Sequence, residues 1–205
     1  MDNLIIIDYG MGNLHSVKKK LHRIGVKADI SNNPETIKKA SKLFLPGVGH
    51  FSKAMQNLKE LGLYDILNEA VLMKKIPILG ICLGLQLMAK HSEEGDEYGF
   101  GWFDAEVVKF TIKDQLKHKV PHMGWNHVIA NKSSILFDGL SGAQEFYFVH
   151  SYHIKSNEPT DILATTDYEY PFVSALEKEN IFGVQFHPEK SHDAGEKMLA
   201  NFLKL

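Results

Sequence analysis

Apolar and polar positions in the first hundred residues alternate between short solid runs and helical spacing. Leu4-Ile-Ile-Ile-Asp8 is an unbroken apolar run ending on a carboxylate, the pattern of a strand buried on both faces. The turn Tyr9-Gly-Met-Gly12 follows. Asn13 can then cap a helix whose positions Leu14, Val17, Leu21 and Ile24 share a face, and Gly25 ends it. Residues 26–30 read as a second strand, and Asn33-Pro34 suits the cap and first turn of a short helix. Residues 43–45 form a third strand leading into Pro46-Gly-Val-Gly49. A helical stretch with a break at Gly62 covers 51–73, residues 76–79 form a strand, and 85–90 start another helix.

Beyond residue 100 the helical spacing disappears. Runs at 107–110, 125–129, 146–149, 162–165, 173–176 and 181–186 read as strands, closed by a helix over 194–203. Strand–helix alternation followed by strands predicts an α/β fold: a mostly parallel central sheet flanked by helices, with a β-rich second half. No linker-like composition separates the halves, so one domain over 1–205 is expected.

Composition adds mainly exclusions. The formal net charge is −2, and Lys18-Lys19-Lys20 falls in a helical pattern as its solvated face, which argues against nucleic acid or an anionic membrane as partner. Met1-Asp2-Asn3 carries no basic leader, and no apolar run approaches the ~20 residues of a membrane span. A single cysteine in 205 residues cannot form an internal disulfide. A soluble, cytoplasmic protein is expected.

That cysteine carries the chemistry. In Gly80-Ile-Cys82-Leu-Gly84-Leu-Gln86 a strand runs into Gly-x-Cys-x-Gly and then a helix, the cysteine form of a nucleophile elbow. A lone cysteine is by default a small buried hydrophobe. Here the turn lifts it to a helix N-terminus, where the dipole favours a thiolate; an unperturbed thiol, with pKa ~8.5, is mostly protonated at neutral pH. The N–H of Leu83 is the usual first donor to an oxyanion. Any of 11 histidines could be a base, but His187 leaves an apolar strand, where parallel sheets carry their sites, and leads into Pro188-Glu189. Glu189 is near enough in sequence to orient its ring.

Taken together, Pro46-Gly-Val-Gly49, the Cys82 elbow and Phe186-His-Pro-Glu189 resemble the class I glutamine amidotransferases. Ile7-Asp-Tyr-Gly-Met-Gly-Asn13, Pro121-His-Met-Gly-Trp-Asn126 and Tyr147-Phe-Val-His-Ser-Tyr152 look like the branch that supplies ammonia to histidine synthesis. The resemblance implies a flavodoxin-like sheet, a Cys82–His187–Glu189 triad that hydrolyses glutamine, and no cofactor or metal. It implies a second oxyanion donor near Val48 and Gly49, and substrate contacts from Gln86, Ser151 and Tyr152. It also implies a partner, a (β/α)₈-barrel cyclase or synthase subunit receiving ammonia, faced by Pro121, Met123, Trp125 and Lys190 rather than by the substrate.

Other readings fit less well. A dinucleotide fingerprint needs a third glycine where His15 stands. A zinc deaminase would need Pro-Cys-x-x-Cys beside its His-x-Glu. A protease-type triad hydrolase lacks the Phe186-His-Pro-Glu189 ending, and a silent regulatory subunit would be expected to have lost one of the three residues. A paralogous glutaminase serving surface-polysaccharide sugar synthesis shares the elbow, and His153 after Tyr152 hints at it.

Overall fold

The computed structural model describes residues 3–114 and 116–205; Met1 and Asp2, used above against a leader, lie outside them. The first half winds as β1 (Leu4–Ile7), α1 (Leu14–Arg23), β2 (Ala28–Ser31), α2 (Pro34–Lys38), β3 (Lys42–Gly47), α3 (Phe51–Glu60), α4 (Leu63–Asn68), β4 (Ile78–Cys82) and α5 (Leu83–Leu87). Both expected caps form: the Asn13 side chain accepts the Ser16 N–H, and that of Asn33 accepts the Thr36 N–H with Pro34 opening α2. The second half adds β5 (His91–Ser92), β6 (Glu97–Tyr98), β7 (Ala105–Lys109), β8 (His122–Ala130), β9 (Gln144–His150), β10 (Tyr152–Ser156), β11 (Ile162–Tyr168), β12 (Tyr170–Lys178), β13 (Ile181–Val184) and α6 (His192–Phe202).

Five strands in the order β2-β1-β3-β4-β13 pair in parallel and carry the C-terminal edge where the elbow sits. Beyond β13 the sheet continues antiparallel through β12, β10 and β7, and β11 leads to the β8–β9 hairpin. The central strands are buried on both faces because helices cover both. One core joins Ile5, Ile7, Leu43 and Leu45 to α3, α4 and α5. The other joins Ile6, Phe44, Leu79 and Val184 to Val17 and Leu21 of α1 and Leu199 and Phe202 of α6. The alternation of each strand's side chains between the two cores is the period-two geometry of the backbone.

Two expectations need correction. The helix expected over 85–90 occupies Leu83–Leu87, because the chain reverses at Cys82 itself and straightens by Lys90, whose N–H pairs with the Ala105 carbonyl. The stretch 51–73 is helical with its break at Gly62 as expected: Gly62 at φ +66° separates α3 from α4, and residues Glu69–Met73 continue as a wider turn closed by Lys74 N–H to Glu69 C=O. Strands β5, β6 and β10 were not anticipated. Among the described residues no helix is long and apolar enough to cross a membrane.

Candidate active site

The elbow is built by close packing. Cys82 ends β4 at φ 55°, ψ −112°, a conformation that costs a non-glycine residue about 1–3 kcal/mol and persists only where the surroundings dictate it. They do so here. A Cβ on Gly84 would lie 1.6 Å from the Leu45 carbonyl oxygen, so α5 rests directly on the backbone of β3. A Cβ on Gly80 would meet Met88 and the Gly84 carbonyl within 2.8 Å. The two flanking glycines therefore let strand and helix close on each other.

Cys82 opens into a pocket of about 280 Å³. Val48, Gly49, Leu83, Gln86, Ser151 and Tyr152 line it. Pro121, expected on the partner face, also lines it. Val149, His150 and Glu94 complete the wall; none of them was singled out from sequence. One Glu94 oxygen accepts the Phe51 N–H at 2.8 Å, so this carboxylate caps α3 while facing the pocket.

His187 and Glu189 lie buried behind the cysteine. His187 Nδ1 bonds Glu189 Oε1 at 2.7 Å, with both side chains almost wholly enclosed. The turn Pro188–Lys190 is pinned to β9: His187 N–H donates to the Tyr147 carbonyl, and Tyr147 N–H to the Ser191 hydroxyl. His187 Nε2 has no hydrogen-bond partner among the described residues. Burial opposes a charged ring, but the nearby Cys82 sulfur and the hydrogen-bonded Glu189 carboxylate outweigh it and push the His187 pKa up to about 9. The cysteine and histidine are thus coupled, with an imidazolium favoured at neutral pH.

Two buried polar chains meet at the pocket wall. Gln86 donates one N–H to the Tyr152 carbonyl and the other to Gln185 Oε1, both at 3.0 Å. Behind Tyr152, Asn126 approaches His122, His122 bonds His150 at 3.0 Å, and His150 Nδ1 donates to the same carbonyl at 2.7 Å. Such a relay needs neutral rings. Burial supplies them, holding His122 down at about 4 and His150 well below the usual histidine value. His153 stands outside the pocket, bonded to the Tyr170 hydroxyl, so its side chain is occupied structurally.

The interface candidates lie elsewhere. Trp125 and Met123 are 44% and 62% exposed, which excludes a core role for them. The Trp125 ring stacks on His192, and Lys190 Nζ sits 5.4 Å from the centre of the Tyr147 ring.

A cysteine on a strained strand-to-helix turn, backed by a buried histidine–carboxylate pair at the C-terminal edge of a parallel sheet, marks an α/β protein whose site holds the groups that acyl transfer through a thiol requires. Within that class the chain belongs to the glutamine amidotransferase class-I family, whose model matches residues 5–205. It is 53% identical over 201 residues to the imidazole glycerol phosphate synthase subunit HisH 2 of Methanococcus maripaludis, covering 98% of each chain. It is 46% identical to the subunit HisH 2 of Pseudomonas aeruginosa (98% of this chain, 99% of the other). It is 47% identical to the subunit HisH 1 of Campylobacter jejuni (98% and 100%). Among solved structures, a glutamine amidotransferase at 18% identity superposes with a TM-score of 0.76 over 98% of this chain and 97% of the other. PurLQS from Thermotoga maritima, at 12% identity, gives 0.76 over 99% and 98%. Both confirm the fold.

Proposed function

We propose that the chain is the glutaminase subunit of an imidazole glycerol phosphate synthase, a single-domain cytoplasmic protein that works docked to a (β/α)₈-barrel cyclase subunit. The observation that carries the chemistry is Cys82 lining the pocket with the buried His187–Glu189 pair coupled to it from behind. The Cys82 thiolate attacks the side-chain amide carbon of glutamine. The resulting oxyanion is held by the Leu83 N–H and a backbone N–H of Val48 or Gly49; one such donor is worth about 3–4 kcal/mol of barrier. His187 gives its proton to the departing nitrogen, ammonia leaves, and a glutamyl thioester remains. Water then loses a proton to His187, adds to the thioester and regenerates Cys82 with release of glutamate. Glu189 keeps the ring oriented and stabilises its charged form.

The remaining wall suits an amino acid. Both Gln86 N–H groups are occupied, so its carbonyl oxygen is what it offers to a substrate N–H. The Glu94 carboxylate complements an α-ammonium, and the Ser151–Tyr152 stretch an α-carboxylate. Ammonia is mostly protonated in neutral water, so delivery through a docked partner preserves its reactivity.

The test is glutamate release from glutamine, by the chain alone and with a histidine-pathway cyclase subunit carrying its nucleotide substrate. Strong stimulation that vanishes in Cys82→Ala, a variant expected to keep its fold and lose all turnover, supports the whole reading. Normal turnover by folded Cys82→Ala sinks it. Slow Cys82-dependent hydrolysis without stimulation keeps the glutaminase and moves it to another synthase.

A further inference from the structure

One buried side chain beside the nucleophile has no part in the chemistry above. Gln185 follows β13, is fully enclosed, and donates from Nε2 to Cys82 Sγ at 3.7 Å. The orientation of its amide is fixed by its neighbours. The Tyr152 carbonyl can only accept, so Gln86 must present its NH₂ there; that NH₂ also reaches Gln185 at 3.0 Å, so Gln185 turns its oxygen to Gln86. Its own NH₂ is left facing the sulfur. In the chain Tyr152 C=O, Gln86, Gln185, Cys82, Gln86 therefore donates both ways, to the backbone carbonyl of the pocket wall and to Gln185, and Gln185 donates onward to the sulfur.

We infer that Gln185 is a positioning residue that donates a hydrogen bond to the Cys82 thiolate, holding the sulfur charged and aimed while tying it to the substrate-facing strand. An amide N–H binds a negative sulfur far more strongly than a neutral thiol, so the contact favours ionisation. The thiol form has its own partner in the Val149 carbonyl, 3.9 Å from Sγ, which accepts from S–H and gives nothing to a thiolate. Ionisation thus exchanges Val149 for Gln185. The other titratable groups coupled to the sulfur are His187 from the turn after β13, backed by Glu189, and Tyr9 from the turn after β1. His187 must move its proton during turnover, whereas Gln185 has none to lose, so its stabilisation of the sulfur persists through the cycle.

The inference rests on Cys82 being the nucleophile, and its test is independent of glutamine. Cys82 is the only cysteine, so iodoacetamide alkylation followed by mass spectrometry reads it alone. Rates are taken from pH 5 to 10 for the unsubstituted chain, Gln185→Leu and the isosteric Gln185→Glu. The expected result is an alkylation midpoint raised by about one to two pH units in Gln185→Leu, ~10–100-fold less thiolate at a fixed low pH, and more in Gln185→Glu. Should either variant fail to fold, the unsubstituted protein still decides. Its Gln185 side-chain ¹⁵NH₂ resonance should titrate with the alkylation midpoint and lose that response in Cys82→Ser. Superimposable alkylation profiles, or a Gln185 amide silent to the titration, overturn the inference. Shifted profiles in a chain that never hydrolyses glutamine would leave Gln185 in place and remove the glutaminase reading instead.

Discussion

Tyr9 shows how a residue can be held against its own stability. Its ring is wholly buried, its hydroxyl has no hydrogen-bond partner among the described residues, and it fills the space a side chain on Gly47 would need, 2.1 Å from that Cβ position. Burial and the nearby Cys82 keep the phenol protonated. An enclosed, unpaired hydroxyl costs about 1–3 kcal/mol. Tyr9→Phe is therefore expected to stabilise the protein by about 1 kcal/mol, or ~2–4 °C in melting temperature; an unchanged or lower melting temperature would show that the hydroxyl is satisfied. His187 makes an opposite bargain. Its folded pKa lies at about 9 against an ordinary 6.5, so the folded chain binds the extra proton between those values. The stabilisation is complete below about pH 6.5 and is lost as pH rises through 9. Urea midpoints measured from pH 6 to 10 should fall across that window more steeply than those of His187→Gln, and parallel curves would contradict the assignment. Cys82, His187 and Glu189 were legible in the sequence because each sits in a local motif. Gln185, Glu94 and Tyr9 were not: only the pairing of distant strands brings them to the sulfur and the pocket, and no spacing encodes that.

Elements differ in how much of themselves they announce. β1, β4 and residues 43–45 of β3 are solid apolar runs because both faces are covered, and the caps of α1 and α2 are written in Asn13 and Asn33. By contrast β10, Tyr-His-Ile-Lys-Ser, mixes polar and apolar residues. Its buried His153 satisfies its ring on Tyr170 within an aromatic cluster, so polarity there does not mean exposure. β5 and β6 are two residues each, too short for any period to register. The α5–β4 junction depends on the absence of a side chain, which gives the sharpest element-level expectation. Gly84→Ala sets a methyl against the immovable Leu45 carbonyl and should cost several kcal/mol, with loss of soluble or active protein. Gly25→Ala, also at a helix boundary and at φ +83°, meets nothing within 4 Å and should cost only ~1–2 kcal/mol of backbone strain. Comparing the two melting temperatures separates packing from conformation; equal losses would mean that the elbow can relax.

On the scale of the whole molecule, the pocket and the proposed partner face share an element. β8 carries His122, buried in the relay to the Tyr152 carbonyl, and Trp125, exposed and stacked at 4.7 Å on His192 with the rings 2° from parallel. Pro121, just before that strand, lines the pocket itself. A partner touching Trp125 and Met123 would thus press on a strand whose first residues reach the substrate wall within four positions. Trp125 is the test of that face. Half-exposed and resting on another surface ring, it contributes little to the core, and Trp125→Ala should lower fold stability by less than about 1 kcal/mol. Large aromatic side chains at the centre of an interface commonly carry 2 kcal/mol or more of binding energy, so affinity for the cyclase subunit should fall ~30-fold or further. Calorimetric titration of that subunit into the Trp125→Ala chain, with a melting curve taken beside it, reads both quantities. Unchanged affinity would move the partner to another face. A collapse in stability would instead give the ring a structural duty that its exposure argues against.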